Sequence, residues 1–274
     1  VAILALDTAT AALTLACGDE SGRLLAEWTT VAARAHATHV HPLIDEMLAV
    51  LGLDARELTG ILVGVGPGSY TGVRIGVTAA KSLAWALSVP VVGISSLAAM
   101  AHVRLVGPGL VAAVVDARRG EAYAGLYGEI DGSWSAVVPE QRSAYETIAP
   151  LYVRAAREAA ARLGIHSGGA AGAGRDAALS LVGDGAAALA AQIARSAADE
   201  PGVPLTVTVL DETATARASE VYRLGWAQIV TLRTEVEENG YEQRAHALVP
   251  RYLQLAEAEA RWRSGQGLER PDRS

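Results

Sequence analysis

Apolar positions along the first third of the chain change period in a way that marks out its elements. Ala2 to Leu6 is a short continuous apolar run that stops at Asp7-Thr8. Leu13 to Cys17 and Leu24 to Thr30 alternate as paired strands do, and the turn residues Gly18-Asp19-Glu20-Ser21-Gly22 join them. From about His39 the period lengthens, and Val40, Leu43, Ile44, Met47, Leu48 and Leu51 recur at helical spacing. Ile61 to Val65 reads as a strand that breaks into the turn Gly66-Pro67-Gly68 and then into a helix running from Gly72 to Leu87. Gly66 and Gly68 can take positive φ and Pro67 fixes its own φ between them, so a sharp turn fits. A further strand spans Val89 to Ile94.

The order is therefore β-β-β-α-β-α-β, and it resembles the half-domain of the actin/sugar-kinase/Hsp70 superfamily. The opening repeats in the second half. Leu110–Asp116, Glu121–Glu129 and Trp134–Val138 read as three more strands, with turns at Arg118–Gly120 and Asp131-Gly132. Two related lobes of an α/β fold follow, residues 1–106 and 107–274, with the second expected to be reduced. Residues 164–174 are rich in Gly, Ala and Ser and read as a surface insertion. Ala197 to Pro204 is a loop, Glu212 to Val230 has a helical pattern, and Leu248 to Trp262 reads as an extended segment followed by a charged helix. Disorder is expected from about 264 onward.

The helix after the glycine turn is apolar almost all round, interrupted by Arg74, Lys81 and Ser82. Such a helix is covered on more than one side. The sheet supplies one cover. The other is a partner subunit or the second lobe, and the partner reading makes Val40, Leu43, Ile44, Met47, Leu48, Val73, Val77, Ala80, Lys81 and Ala84 interface candidates.

Composition narrows the function classes. The chain has 274 residues, 51% of them hydrophobic, enough for a sizeable core. No stretch of ~18 apolar residues is free of charges or breakers, so no membrane span is expected. A basic n-region is missing before the first strand, so no secretory signal is expected. The single cysteine, Cys17, suits a reducing cytoplasm and sits in a strand pattern. Net charge is −7 and Lys81 is the only lysine, which disfavours direct gripping of nucleic acid as the main task. Phenylalanine is absent.

Several residues could carry chemistry. Asp7 and Thr8 follow a buried strand, where they could meet nucleotide phosphate or magnesium, or could simply bond the local backbone in a turn. Gly66, Gly68, Ser69 and Thr71 form a glycine turn leading into a helix N-terminus. That arrangement can hold an anion, or it can serve close packing through side-chain-free faces at Gly72 and Gly76. Ser69 or Thr71 can cap the helix. His36, His39 and His41 lack the i, i+4 spacing of a metal pair and, beside Pro42, read as polar residues at a helix entry. Asp116, Arg118 and Glu121 around a hairpin turn read as an ion-pair network or a partner contact. No Gly-x-Ser-x-Gly elbow is present, so a serine hydrolase has little support.

Three of these stretches occur together: Asp7-Thr8-Ala9-Thr10, Gly64-Val65-Gly66-Pro67-Gly68-Ser69-Tyr70-Thr71-Gly72-Val73-Arg74, and Asp116-Ala117-Arg118-Arg119-Gly120-Glu121-Ala122-Tyr123. In that order they resemble the TsaB (YeaZ) family, and Val249-Pro250-Arg251-Tyr252-Leu253 is similar to the family's Pro-x-Tyr-Leu-Arg element, with Gln254 in place of Arg. The resemblance implies a cytoplasmic, non-catalytic subunit of the bacterial machinery that makes N6-threonylcarbamoyladenosine next to the anticodon of tRNA. It implies pairing with TsaD through the two helices, cooperation with the ATPase TsaE, a homodimer in isolation and only indirect contact with tRNA. The catalytic paralogue TsaD, which the glycine-turn region also resembles, binds metal with a histidine pair. Ser96 and Met100 stand at those places here, so no metal and no cofactor are expected, with ATP only within the complex. The same residues argue against the peptidase label attached to the family. The alternative is a small phosphotransferase or ATPase using Asp7 and the glycine turn, although Ala9 stands where glycine would let backbone approach phosphate.

Overall fold

The computed structural model describes residues 1–31, 36–102, 109–130, 133–162, 176–200, 202–211, 215–235 and 239–253. The first five strands are β1 (Ala2–Asp7), β2 (Leu13–Gly18), β3 (Leu24–Thr30), β4 (Leu58–Gly64) and β5 (Val91–Ile94), and they form one sheet in the order β3-β2-β1-β4-β5. β2 runs antiparallel to both β1 and β3, whereas β1, β4 and β5 are parallel. Helices α1 (His36–Leu51) and α2 (Tyr70–Leu87) pack on one face, and the short α3 (Ser96–His102) leads away from β5.

The second half repeats this arrangement strand for strand. β6 (Leu110–Arg118), β7 (Glu121–Ile130), β8 (Ser133–Ala144), β9 (Ala177–Val182) and β10 (Leu205–Asp211) form a sheet in the order β8-β7-β6-β9-β10. β7 is antiparallel to β6 and β8, and β6, β9 and β10 are parallel. Helices α4 (Tyr145–Arg162) and α5 (Ala186–Asp199) stand where α1 and α2 stand in the first lobe. The chain thus has the duplicated, two-lobed actin/sugar-kinase/Hsp70-like architecture, and the expected reduction does not extend to the second sheet, which keeps all five strands.

Each sheet borrows cover from the other half of the sequence. α6 (Ala218–Glu235), which follows β10, returns to lie on the open face of the first sheet, and α3 lies on the second. This explains why β1 is apolar without alternation. Ala2, Leu4 and Leu6 face the core under α1 and α2, and Ile3 and Ala5 face the core under α6. Glycines let α6 come close. A Cβ at Gly18 would lie 2.3 Å from the Tyr222 ring, and one at Gly60 would lie 2.2 Å from Ile229.

Several expected boundaries are corrected. α1 begins at His36, so Pro42 lies inside the helix rather than at its entry. Pro42 has no N–H to offer the turn before it, and that turn is on the exposed side of the helix. α6 starts at Ala218, the residues 215–217 before it are not helical, and Glu212 lies outside the described residues. α5 continues to Asp199, which shortens the loop read from Ala197. The expected lobe boundary at 106/107, the Gly/Ala-rich residues 164–174, the charged helix after Leu253 and the tail from 264 lie outside the described residues. Among the described residues no helix is long and apolar enough to cross a membrane.

The largest correction concerns the partner candidates. Val40, Ile44, Met47, Leu48, Val73, Val77, Ala80 and Ala84 are buried inside this chain, in the core between the helices and the first sheet, and Leu43 packs against it. The second cover that α2 needs comes from its own chain, as α7 (Asn239–Ala247) and Leu248. Lys81 belongs to that contact. Its Nζ donates to the carbonyls of His246 at 3.1 Å and Leu248 at 2.8 Å, capping the end of α7. Lys81→Ala is expected to cost about 1–2 kcal/mol, the worth of a charge-assisted hydrogen bond. A denaturant titration that reads no loss would show that this cap is idle.

Candidate functional site

The most unusual group in the molecule is the carboxyl of Asp7, fully buried at the end of β1. Its Oδ1 accepts from the Ala9 N–H at 2.7 Å and its Oδ2 from the Ser96 hydroxyl at 2.6 Å. Ser96 Oγ in turn accepts from the Gly66 N–H at 3.1 Å, so the start of α3, the end of β1 and the β4–α2 turn meet at one hydroxyl. Burial pushes the Asp7 pKa up to about 6, against the pull of the hydrogen bonds from Ser96 and Ala9.

The glycine turn is fitted to the Asp7-Thr8-Ala9 segment. Gly66 has φ +89, which favours glycine. A Cβ at Gly64 would sit 1.7 Å from Asp7 Oδ2, one at Gly68 2.3 Å from the Ala9 carbonyl oxygen, and one at Gly72 2.1 Å from that of Thr8. Thr8 Oγ1 donates to the Gly72 carbonyl at 2.7 Å, and the Ser69 N–H donates to the Ala9 carbonyl at 2.7 Å. Of the two capping candidates Ser69 is the cap, its side chain accepting from the Gly72 N–H, while Thr71 is an exposed first-turn residue. Asp7, Thr8, Gly66, Gly68 and Ser69 are therefore brought together, and Thr71 is not.

The second lobe carries a more open counterpart. Asp116 stands near the end of β6 as Asp7 does on β1, and its backbone N–H donates to the Asp184 carboxylate at 2.8 Å. Asp184 lies in Gly183-Asp184-Gly185, the turn that opens α5 as the glycine turn opens α2. Asp116 Oδ1 accepts from the Arg118 N–H at 3.0 Å and Oδ2 pairs with its guanidinium at 3.4 Å. Glu121 does not join them, turning to Arg142 at 2.5 Å. Burial, then Asp116 and Asp184, push the nearby Tyr145 up to about 12. The sequence reading missed Asp184, although a Gly-x-Gly turn leading into a helix is the same signal that singled out the first lobe.

The remaining candidates fall outside this pair of turns. His39 and His41 are exposed on α1, and the side chain of His36 lies outside the described residues. Met100 is buried against Leu97 and Val182, and its sulfur lies 3.1 Å from where a Cβ of Gly183 would be. Among the described residues no three His, Cys, Asp or Glu side chains converge as a metal ion would need.

Chemically, the first-lobe turn holds a carboxyl whose pKa burial raises to about 6 beside a hydroxyl, a pair that can accept a proton. The amides of Ala9, Gly66, Ser69 and Gly72 are nonetheless occupied by acceptors within the chain. A phosphate cradle needs such amides aimed outward.

A family model described as "TsaD: tRNA N6-adenosine threonylcarbamoyltransferase" matches residues 29–262. The tRNA threonylcarbamoyladenosine biosynthesis protein TsaB of Bacillus subtilis (strain 168) is 41% identical over 139 residues, covering 51% of this chain and 60% of that protein. The protein of the same name from Escherichia coli (strain K12) is 36% identical over 135 residues, covering 48% of this chain and 58% of that protein. The matched part therefore spans under two thirds of either curated relative. Among solved structures, a Pseudomonas aeruginosa protein described as similar to peptidase YEAZ superposes with a TM-score of 0.66 at 27% identity, covering 92% of this chain and 99% of that one.

Proposed function

Because the chain belongs to the family described as TsaD, tRNA N6-adenosine threonylcarbamoyltransferase, and resembles its TsaB and YeaZ members, we propose that it is a non-catalytic subunit in the biosynthesis of N6-threonylcarbamoyladenosine in tRNA. It pairs with a TsaD-type transferase and works with a TsaE-type ATPase, and by itself it forms a homodimer. The observation that carries the non-catalytic part is the closure of the β4–α2 turn. The Gly66 amide goes to Ser96 and the Ser69 amide to the Ala9 carbonyl, the Asp7 carboxyl is taken by Ala9 and Ser96, and the space over Gly68 and Gly72 is filled by the Ala9 and Thr8 backbone rather than left facing a ligand.

Pairing falls to the outward faces of α1 and α2. The apolar candidates named from the sequence point inward, but Val50 is 71% exposed and Trp85 is 58% exposed, and Tyr70, Arg74, Thr78 and Ser82 continue the open stripe of α2. Exposed aromatic and arginine side chains are the types that anchor protein interfaces.

The test is reconstitution of tRNA modification with the transferase and the ATPase, with and without this chain. The expected result is modified tRNA only when the chain is present, together with no ATP turnover by the chain alone. ATP hydrolysis by the purified chain that disappears with Asp7→Ala would establish the phosphotransferase reading instead. Full modification in the absence of the chain would remove the subunit role.

A further inference from the structure

The element around Arg251 lies beside the glycine turn of the first lobe, and its bonds reach both lobes. We infer that Val249–Leu253 is a strap that holds the two lobes together, with Arg251 as its clasp. On the first lobe the strap is fixed by backbone and by stacking. The Arg251 N–H donates to the Val65 carbonyl at 2.8 Å, just past the end of β4. The neighbouring Tyr252 ring stacks on Tyr70, at the start of α2, with centroids 4.9 Å apart.

The Arg251 side chain then crosses to the second lobe. Its Nη1 lies 2.9 Å from Glu140 Oε2, on β8, and the Glu140 side chain is only 5% exposed. The Tyr127 hydroxyl, on β7, donates to Glu140 Oε1 at 2.8 Å. Gly125 makes room for that pair, since a Cβ there would lie 2.7 Å from the Tyr127 oxygen and 3.0 Å from Glu140 Cγ. A buried carboxylate needs a compensating charge. Among the described residues the one cation that pairs with Glu140 is carried in from the other lobe. The ion pair exists only when the strap is seated on the first lobe and the second lobe is closed against it. Loss of the clasp frees both, so seating of 249–253 and closure of the lobes rise and fall together.

The full chain can be tested with two dyes, one at Glu46→Cys on α1 and one at Ala194→Cys on α5, both exposed positions, because the native Cys17 is buried and escapes labelling. Arg251→Ala is expected to lengthen the distance between the dyes and to speed hydrogen exchange of the residue 251 amide by about tenfold, because the ion pair that holds the strap to the second lobe is gone. Glu140→Gln, which keeps the shape, should do the same, the two changes together should do no more than either alone, and Arg251→Lys should restore part of the effect. A merely structural contribution would lower the melting temperature without moving the dyes. An unchanged dye distance in both Arg251→Ala and Glu140→Gln, or effects that add in the double variant, would overturn the inference.

Discussion

Replacing Ile44 with Glu and Ala80 with Arg in one chain is expected to abolish cooperative folding. Both side chains lie in the core under α1 and α2, Ile44 at 4% and Ala80 at 1% exposure. Each new charge would sit without a partner or water, at a cost of several kcal/mol. Ala80→Arg adds a second cost, because a long side chain must be forced into packed space for about 1–3 kcal/mol or more. Together these reach the whole stability of an ordinary domain, about 5–15 kcal/mol. Circular dichroism and a thermal melt read the outcome. The contrasting pair Val50→Glu with Trp85→Arg, on the exposed faces, should leave the melt cooperative and abolish pairing. If Ile44→Glu with Ala80→Arg gave a soluble, cooperatively melting monomer, the placement of α1 and α2 against the first sheet would be wrong.

The same residues show where the sequence was readable and where it was not. Period alone distinguished the three opening strands from α1, and the glycine turn fixed the start of α2 to within two residues, because turn chemistry and capping are local. The burial of α2 on two sides was also legible in its nearly uniform apolar surface. What covers the second side was not. α7 has few apolar residues, and its docking rests on Lys81 bonding carbonyls of His246 and Leu248, which no periodicity reports. α6 had a helical pattern, but an apolar stripe fits either sheet equally. Its destination was set by Gly18 and Gly60, whose missing side chains admit Tyr222 and Ile229 from the far end of the chain. In the second lobe α4 and α5 are dominated by alanine, and β9 is too short to show a period, so the full repeat emerged only from the strand order. At the candidate site, Asp7, Thr8 and the glycines were legible as a local turn. Ser96 is legible in the sequence only as the residue at the place of a missing histidine, because its bond to Asp7 joins positions 89 residues apart.

Asp7→Asn is expected to stabilise the chain at pH 8 and to flatten part of its pH dependence. The folded pKa of about 6 lies above the ordinary carboxylate value of 3.8, and burial is the cause. Between about pH 4 and 6 the folded chain therefore keeps a proton that the unfolded chain has released, so this group's contribution is complete below about pH 4 and declines as pH rises through 6. At roughly 1.4 kcal/mol per pKa unit, the ionised carboxylate costs about 3 kcal/mol at pH 8. Asparagine retains the Oδ1 acceptor for the Ala9 N–H and cannot ionise, while its amide meets the Ser96 hydroxyl as a donor. The carboxylates held below their ordinary range, Asp19, Glu27 and Asp54, shape the acid limb identically in both proteins and drop out of the difference. Urea titrations from pH 4 to 8 should thus show the variant gaining on the parent as pH rises, with the gain levelling off above about pH 7. Parallel profiles would mean that Asp7 is not the buried, proton-holding group that the geometry makes it. A parent chain that gained relative to the variant toward pH 8 would mean that the Asp7 carboxylate is stabilised by a charge the described residues do not supply.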